Sequence, residues 1–291
     1  LLFDPRDDGT MRALAALLEA ADDLPGAIDL YQRALRVDPY RPDVLVSLGR
    51  LWSILGDTAR ARSWFDRALA IDPDCAEAAA GLAALESPDT LTPAYIRTLF
   101  DQYADRFDAD LVGALNYRAP DRVAELLARR DIAGADLLDL GCGTGLSGVA
   151  LKPFARSLDG VDLSPGMIAK ARIRGIYDDL AVEEAGAFLN RPGKAWDVIA
   201  AVDMLNYVGD LTPIFQAAAA RLHPGGLLAG TVEKRAEGGQ ALTEKRRYRH
   251  GADRLRAALD AAGLGLVELS ESDLRQEGKL PVAGLIFAAR N

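Results

Sequence analysis

Three glycines spaced two apart, Gly141, Gly143 and Gly145, close an apolar run reading DLLDLGCGTG over 136–145. Glycines in the turn after a strand let the backbone approach a ligand closely, because no Cβ stands in the way. A dinucleotide fingerprint needs a further glycine at 146, and that position is Leu146. Asp139 stands at the strand end just before the turn, where a carboxylate repels a pyrophosphate but accepts hydrogen bonds from an ammonium group. Asp162 ends the next apolar run, LDGVD, 21 residues beyond Gly141, where an acid can take both hydroxyls of a ribose. That spacing is shared with dinucleotide enzymes and does not discriminate alone. S-adenosylmethionine would satisfy both acids: it carries a ribose, an ammonium group and a sulfonium, and no phosphate.

The residues around these acids carry a resemblance. DLSPGMIAKAR (162–172) is similar to the D-x-S-x-x-M-[IL]-x-x-A pattern of S-adenosylmethionine-dependent methyltransferases of class I, and LLDLGCGTG, WDVIAAVDMLNYVGDL (196–211) and LHPGGLLAGTVE (222–233) resemble that family's strand ends in the same order. The resemblance implies cofactor contacts from Asp139, Gly141, Cys142, Gly143, Gly145 and Asp162, with Leu163 and Met167 against the adenine. Ordinary helix core is the alternative for Met167. In AVEEAGAFL (181–189) it implies an acceptor for the adenine amino group, and Glu184 fits the register better than Glu183. It adds Asp203 and Met204 at the fourth strand end, and Tyr117 and Arg118 in LNYRAPDRV (115–123). LFDQYADRFD (99–108) resembles the helical lead-in that roofs the site in small-molecule members. His223, before Pro-Gly-Gly, reads as a turn residue.

Methyl transfer is an in-line displacement with a good leaving group, so alignment and a dry site matter most, and a base is needed only when the acceptor must lose a proton. The candidates are His250, Tyr103 and Tyr207. His250 sits in RRYRHG (246–251) beside Arg247 and Tyr248, a segment resembling the family's R-Y-x-H-[SG]; the alternative places His250 and Gly251 simply at the start of a helix. Arg275 in LRQEGKLPV would pair with an acidic substrate group or charge an edge hairpin. The Asn/Asp-Pro-Pro-Tyr motif for exocyclic amines of bases or for glutamine is missing, with DMLNY in its place. Cys142 reads as a small loop residue, not a nucleophile. Neither Cys75 nor Cys142 has a CxxC or histidine neighbour, so neither a disulfide framework nor a metal site is expected.

These residues need a scaffold of alternating strands and helices. Strand-like runs fall at 136–141, 157–162, 180–184, 196–202, 226–232, 264–270 and 281–289, with helices at 144–155, 165–174, 211–222 and 252–262 between them. Such alternation predicts a parallel, doubly wound sheet. The last two strands enclose no helix, so they are expected to form an antiparallel hairpin. The fold class is therefore α/β, a Rossmann-like seven-stranded sheet with a C-terminal hairpin. Before it, aromatics at Tyr95, Phe100, Tyr103 and Phe107 sit three to five apart, so most of them share a helical face expected to pack on the α/β domain.

The first 88 residues repeat. DDLPGAIDLYQRALRVDP (22–39) answers GDTARARSWFDRALAIDP (56–73) at an offset of 34, with Ala27/Ala61, Tyr31/Phe65, Ala34/Ala68 and Pro39/Pro73 aligned. That period resembles the tetratricopeptide repeat. First helices are expected at 8–21 and 42–55, with Leu48, Gly49 and Trp52 on the packing face, and a capping helix at 74–86. The cluster ESPDTLTP marks a boundary. We therefore expect a repeat domain at 1–88, a helical linker and lid at 89–135, and a catalytic domain at 136–291. Together the two parts resemble a predicted bacterial family of repeat-containing methyltransferases.

A net charge of −9 argues against broad binding to phosphate backbones, and no nucleic acid is expected as a partner. The apolar runs are broken by acids too soon to span a membrane, and no leader pattern opens the chain, so a cytoplasmic place is expected. The chain opens on Leu1, as expected of one whose natural start lies upstream. The expected activity is methylation of a small molecule at O or N. The alternatives are a protein methyltransferase whose substrate docks on the repeats, and a non-catalytic interaction protein; the repeats are expected either to dock a protein partner or to serve in self-association.

Overall fold

The computed structural model describes residues 7–20, 23–55, 57–86, 91, 93–104, 107–108, 115–243, 245–277 and 280–291. It divides into two units, Leu1–Tyr95 and Ile96–Asn291.

The first unit is helical: α1 (Asp8–Ala20), α2 (Leu24–Val37), α3 (Pro42–Ile54), α4 (Thr58–Ile71) and α5 (Ala76–Glu86). The 34-residue period governs capping as well as packing. Asp23 and Asp57 each cap the helix after them, accepting from Gly26 N and Arg60 N. Asp38 and Asp72 end those helices and then turn the chain by accepting from Tyr40 N and Asp74 N. Ala27, Ala34, Ala61 and Ala68 are buried, which lets neighbouring helices approach closely. The Phe65 ring fills the space this leaves: a Cβ on Gly49 or Gly81 would stand 2.6 or 2.4 Å from it. Leu48 is buried as expected, and Trp52 is partly buried under the Arg60 guanidinium.

In the second unit α6 (Pro93–Tyr103, entered at Ile96) and α7 (Ala119–Arg129) precede the sheet. The strands are β1 (Ala135–Leu140), β2 (Ala155–Asp162), β3 (Asp179–Val182), β4 (Trp196–Ala201), β5 (Leu222–Lys234), β6 (Gln240–Leu242), β7 (Tyr248–His250), β8 (Gly265–Glu277) and β9 (Leu280–Arg290). Between them run α8 (Leu146–Leu151), α9 (Pro165–Arg174), α10 (Ala185–Asn190), α11 (Thr212–Ala219) and α12 (Ala252–Ala261). Strands β3-β2-β1-β4-β5 are parallel, and β9 joins β5 antiparallel with β8 outside it. This is the expected Rossmann-like seven-stranded sheet with its terminal hairpin. Because β1 is followed outward to β2 on one side and the chain returns to β4 on the other, the crevice lies at the carboxyl ends of β1 and β4. Leu138, Leu140, Ile199 and Phe287 belong to the core on one face, and Leu137, Val198, Ala200 and Ile286 to the core on the other.

Three features depart from the sequence expectation. A short helix, α10, follows β3 because Glu184 caps it, accepting from Ala187 N. The segment 240–250, expected to lead straight into a helix, forms a hairpin of β6 and β7. Glu233 pairs with Gly284 on one edge of β5 and with Arg249 of β7 on the other, so the hairpin lies on the edge that β4 occupies lower down. Finally, β8 runs on to Glu277, where a loop was expected, and this extension carries Arg275 and Glu277 into the sheet. Leu115 O accepts from Gln276 N and Leu274 O from Arg118 N, so the segment before α7 lies along the extension.

Candidate active site

The glycine turn is built by its backbone. Gly141, Gly143 and Gly145 have φ of +72°, +54° and +91°, the left-handed region that other residues enter at a cost. Gly141 N and Cys142 N both donate to Val161 O, which ties the turn to the end of β2. A Cβ at Gly141 would meet Met204 at 2.5 Å, whereas at Gly143 the nearest atom among the described residues is a ring carbon of Phe107 at 3.8 Å. The face of Gly143 is thus an open cradle and that of Gly141 is closed. Cys142 is buried and its thiol is pushed well up by that burial, so it is no nucleophile at neutral pH.

Two carboxylates face this turn. Asp162 accepts from Gly143 N and Ser164 N, 2.9 Å each, one on either oxygen, and burial raises its carboxyl. Asp139 is fully buried; Ser147 Oγ and Tyr177 Oη each donate 2.7 Å to its Oδ2, while Oδ1 is buried with no hydrogen-bond partner. Burial pushes its carboxyl up to about 6, against the pull of those two donors. Two carboxylates beside a glycine cradle, Asp139 buried and Asp162 partly so, repel a phosphate and attract a cation. These residues fit a phosphate-free, cationic nucleoside such as S-adenosylmethionine.

The lead-in segment is tied to the same turn by two acids seven residues apart. Asp101 of α6 accepts from Gly166 N at the start of α9 and from Ser164 Oγ, which itself caps α9 by accepting from Met167 N. Asp108 accepts from Thr144 Oγ1 and pairs with Arg174, whose Nε donates 2.6 Å to Thr144 O. Phe100 meets Phe107 and Tyr207 edge to face, with centroids 6.2 and 5.0 Å apart. In the sequence this stretch reads as an aromatic stripe, and neither aspartate carries a motif.

Across the crevice the long β8 completes a buried ion network. Arg275, 4% exposed, holds Asp203 at 2.9 Å through Nη1, Glu277 at 3.0 Å through Nε and Glu233 through Nη2. Glu233, 1% exposed, also takes Arg247 Nε at 2.6 Å, and its own N–H donates to Asn206 Oδ1. Asp203 has φ +59° and donates its N–H to Thr231 Oγ1. Burial raises the Asp203 carboxyl and Arg275 opposes this. Burial would raise Glu277 too, but Lys245, Arg247 and Arg275 hold it at about 2. Asp203 therefore meets Arg275 directly. Glu233 and Glu277 had no sequence signal beyond being acids near strand ends.

Tyr117 and Tyr207 join this group. Burial raises both phenols well above their ordinary value; Asp203 and Asp139 add to this at Tyr117 and Arg275 opposes it, while at Tyr207 Arg247 opposes and Asp203 adds. Tyr117 thus stands within electrostatic reach of both carboxylates at the carboxyl ends of β1 and β4.

Other sequence candidates fall elsewhere. Met167 is buried in α9 and Leu163 is partly exposed between Asp162 and the α9 cap. Glu184 serves as the α10 cap and Glu183 pairs with Arg191 at 2.9 Å. Arg118 pairs by its side chain with Asp121 in the first turn of α7, and half of that side chain faces solvent. His250 is fully buried: neither ring nitrogen makes a hydrogen bond within 3.5 Å, and burial lowers its pKa, with the carbonyls of Leu205 and Val208 opposing. His223 is exposed beside Gly225, whose φ of +76° makes the turn. The Tyr103 side chain lies outside the described residues. Among the described residues no cluster of His, Cys, Asp or Glu could hold a metal, and no helix is long and apolar enough to cross a membrane.

A family model for a methyltransferase domain matches residues 111–269, and one for the tetratricopeptide repeat matches 18–85. A ubiquinone biosynthesis O-methyltransferase of Xanthomonas oryzae pv. oryzae (strain PXO99A) is 34% identical over 121 residues, covering 38% of this chain and 47% of that protein. Its counterpart from Xanthomonas campestris pv. campestris (strain B100) is 30% identical over 162 residues, covering 49% and 63%. The chain thus spans about half the length of the curated relatives it matches first. Among solved structures, magnesium protoporphyrin IX methyltransferase (ChlM) from Synechocystis PCC 6803 with bound S-adenosylhomocysteine superposes with a TM-score of 0.54 at 18% identity, over 68% of this chain and 99% of that one. The [4+2]-cyclase SpnF superposes with a TM-score of 0.57 at 20% identity, over 70% and 97%. The fold is shared, and these likenesses carry the fold alone.

Proposed function

Since this chain belongs to the methyltransferase domain family, we propose that it transfers a methyl group from S-adenosylmethionine to a small-molecule acceptor. The observation that carries this reading is the open glycine cradle at Gly143, flanked by Asp162, which accepts from the Gly143 N–H, and by Asp139 with its unpartnered oxygen. The cofactor supplies a methyl group on a sulfonium; every other demand falls on the protein. Asp162 holds the turn through one lone pair on each oxygen and keeps others for ribose hydroxyls. Asp139, kept dry, receives the ammonium end. Phe100, Phe107 and Tyr207 form an apolar cover over the crevice, and α6 with Asp101 and Asp108 acts as the lid. Excluding water strengthens the acid–cation contacts and prevents transfer to solvent.

On the acceptor side we take a hydroxyl as the methylated group, because the curated relatives are named O-methyltransferases. Tyr117, Tyr207 and the Asp203–Arg275–Glu233 network line that side and fix the acceptor. His250, with no exposed atom, acts by position: it packs against Tyr248 and the turn 205–207 that carries Tyr207. We keep the domain plan of a repeat part at 1–88, a lid at 89–135 and a catalytic part at 136–291.

Titration calorimetry of the full chain with S-adenosylhomocysteine tests the cofactor half. We expect saturable binding that weakens at least tenfold in Asp162→Ala, roughly the loss of one charge-assisted pair of hydrogen bonds. Absence of binding overturns the reading. Incubation with methyl-labelled cofactor and a panel of small phenols, alcohols and amines then tests the acceptor. Label confined to protein partners would favour docking on the repeats instead.

A further inference from the structure

Behind the glycine turn lies a ring that no motif announces. Tyr177, between α9 and β3, packs against glycines from three elements. A Cβ at Gly148 of α8 would stand 2.2 Å from its hydroxyl, one at Gly160 of β2 2.9 Å from its ring, and one at Gly145 of the turn 3.1 Å. Gly148 and Gly160 have no left-handed φ, so room for this ring is what their missing side chains provide. The hydroxyl ends at Asp139, where it and Ser147 Oγ both donate to the same oxygen, Oδ2. The other oxygen is buried and receives nothing. A buried carboxylate seldom lacks a partner on one oxygen while the other takes two donors. The arrangement leaves one acceptor position for a donor from outside the chain.

We propose that Tyr177 is a positioning residue for the cofactor: by holding Asp139 Oδ2 from behind, with Ser147, it presents Oδ1 to the ammonium group at the amino-acid end of the bound nucleoside. This rests on the reading of the glycine turn as the cofactor site. Among the described residues, the ionisable groups that act on Asp139 are Tyr177, Asp162 from β2, Cys142 from the turn and Tyr117 from the segment before α7, and none of these is a cation. The ammonium would supply the positive charge that these groups do not. Burial and the neighbouring Asp139 push the Tyr177 phenol far up, so it stays protonated and donating at neutral pH.

Ionisation of Asp139 sets the sign of the pH effect. With burial lifting its carboxyl to about 6 in the free protein, the group is charged above that pH and takes a proton below it. Binding of an ammonium ligand should weaken as pH falls through about 6. Donors to a carboxylate favour its charged form, so removing the Tyr177 hydroxyl moves that decline to higher pH.

The test is titration calorimetry of the full chain between pH 5 and 8 with two probes. S-adenosylhomocysteine carries the ammonium group and 5′-methylthioadenosine lacks it. In Tyr177→Phe, affinity for S-adenosylhomocysteine at pH 7 should fall about tenfold and the midpoint of its pH decline should rise, with 5′-methylthioadenosine unchanged within about twofold. Ser147→Ala should shift the midpoint the same way; it leaves the ring in place and so serves if Tyr177→Phe does not fold. Equal losses for both probes, or an unmoved midpoint, would overturn the proposal and leave Tyr177 a packing residue. If the unaltered protein binds neither probe, the reading of the glycine turn itself fails, before Tyr177 comes into question.

Discussion

Replacing Arg275 by methionine should unfasten the acceptor side of the crevice. Arg275 is 4% exposed and holds Asp203, Glu233 and Glu277 at once. Methionine approximates its stem and removes its charge, leaving Glu233 buried with Arg247 and Arg249 still beside it, and the partly buried Asp203 without its hydrogen-bonded cation, Arg247 acting on it only through space. Removing one side of a buried ion pair costs about 3–5 kcal/mol, because the partner is left charged and dry. The cost should depend on pH with a definite sign. Without the guanidinium less opposes the burial that raises the Asp203 carboxyl, so its folded-state pKa lies further above its unfolded value of about 3.9 and the folded variant binds more protons there than the unfolded chain. Its deficit is greatest at neutral pH and narrows as pH falls through that raised value. In the unaltered protein Glu277, held at about 2, acts oppositely: it stabilises above its unfolded value near 4.5, and that contribution is lost as pH falls towards 2. Hydrogen-exchange mass spectrometry resolves the outcome, since peptides from β5 and β8 report the network and peptides from α2 and α4 serve as an internal reference. Opening free energies in β5 and β8 should drop by about 3–5 kcal/mol at pH 7. A second replacement, Glu233→Gln, should recover part of the loss, giving a coupling energy of at least about 1 kcal/mol in a double-mutant cycle. A loss under about 1 kcal/mol with no dependence on pH would refute the reasoning, because it would mean that solvent already screens these charges.

The first two glycines of the turn should separate stability from binding. Gly141→Ala forces both a left-handed alanine and a collision with Met204, so it should lower stability by about 1–3 kcal/mol in urea unfolding as well as abolish cofactor binding. Gly143→Ala meets the strain without the collision, so it should cost only about 1 kcal/mol yet reduce affinity for S-adenosylhomocysteine far more, by about a hundredfold in calorimetry. Asp101→Ala removes the acceptor for Gly166 N and Ser164 Oγ, and exchange in residues 96–104 should quicken by the equivalent of about 1–2 kcal/mol. In the repeat unit, Asp57→Ala removes the α4 cap and should lower its stability by about 1 kcal/mol without changing cofactor affinity, as read by calorimetry and by exchange in α4.

What the amino-acid sequence determined by itself was local. A glycine at every second position after an apolar run states a backbone that must turn left-handed, and an acid 21 residues on states the end of the neighbouring strand. Small and aromatic residues repeating every 34 positions state how closely helices approach, and the capping aspartates obey the same period. These demands act within a few residues, so residue type alone shows them. The hairpin of β6 and β7 and the extension of β8 were not legible, because each depends on an edge that exists only after the sheet is assembled, whereas α10 has a local signal in its Glu184 cap. The charge pairing was equally hidden. Asp203 meets Arg275 from 72 positions away, Tyr177 reaches Asp139 from 38, and Asp108 reaches Thr144 from 36. A charge in a sequence does not name its counterpart; register and crossover decide which carboxylate a given arginine or phenol meets. In this protein they also decided which oxygen of Asp139 was left open.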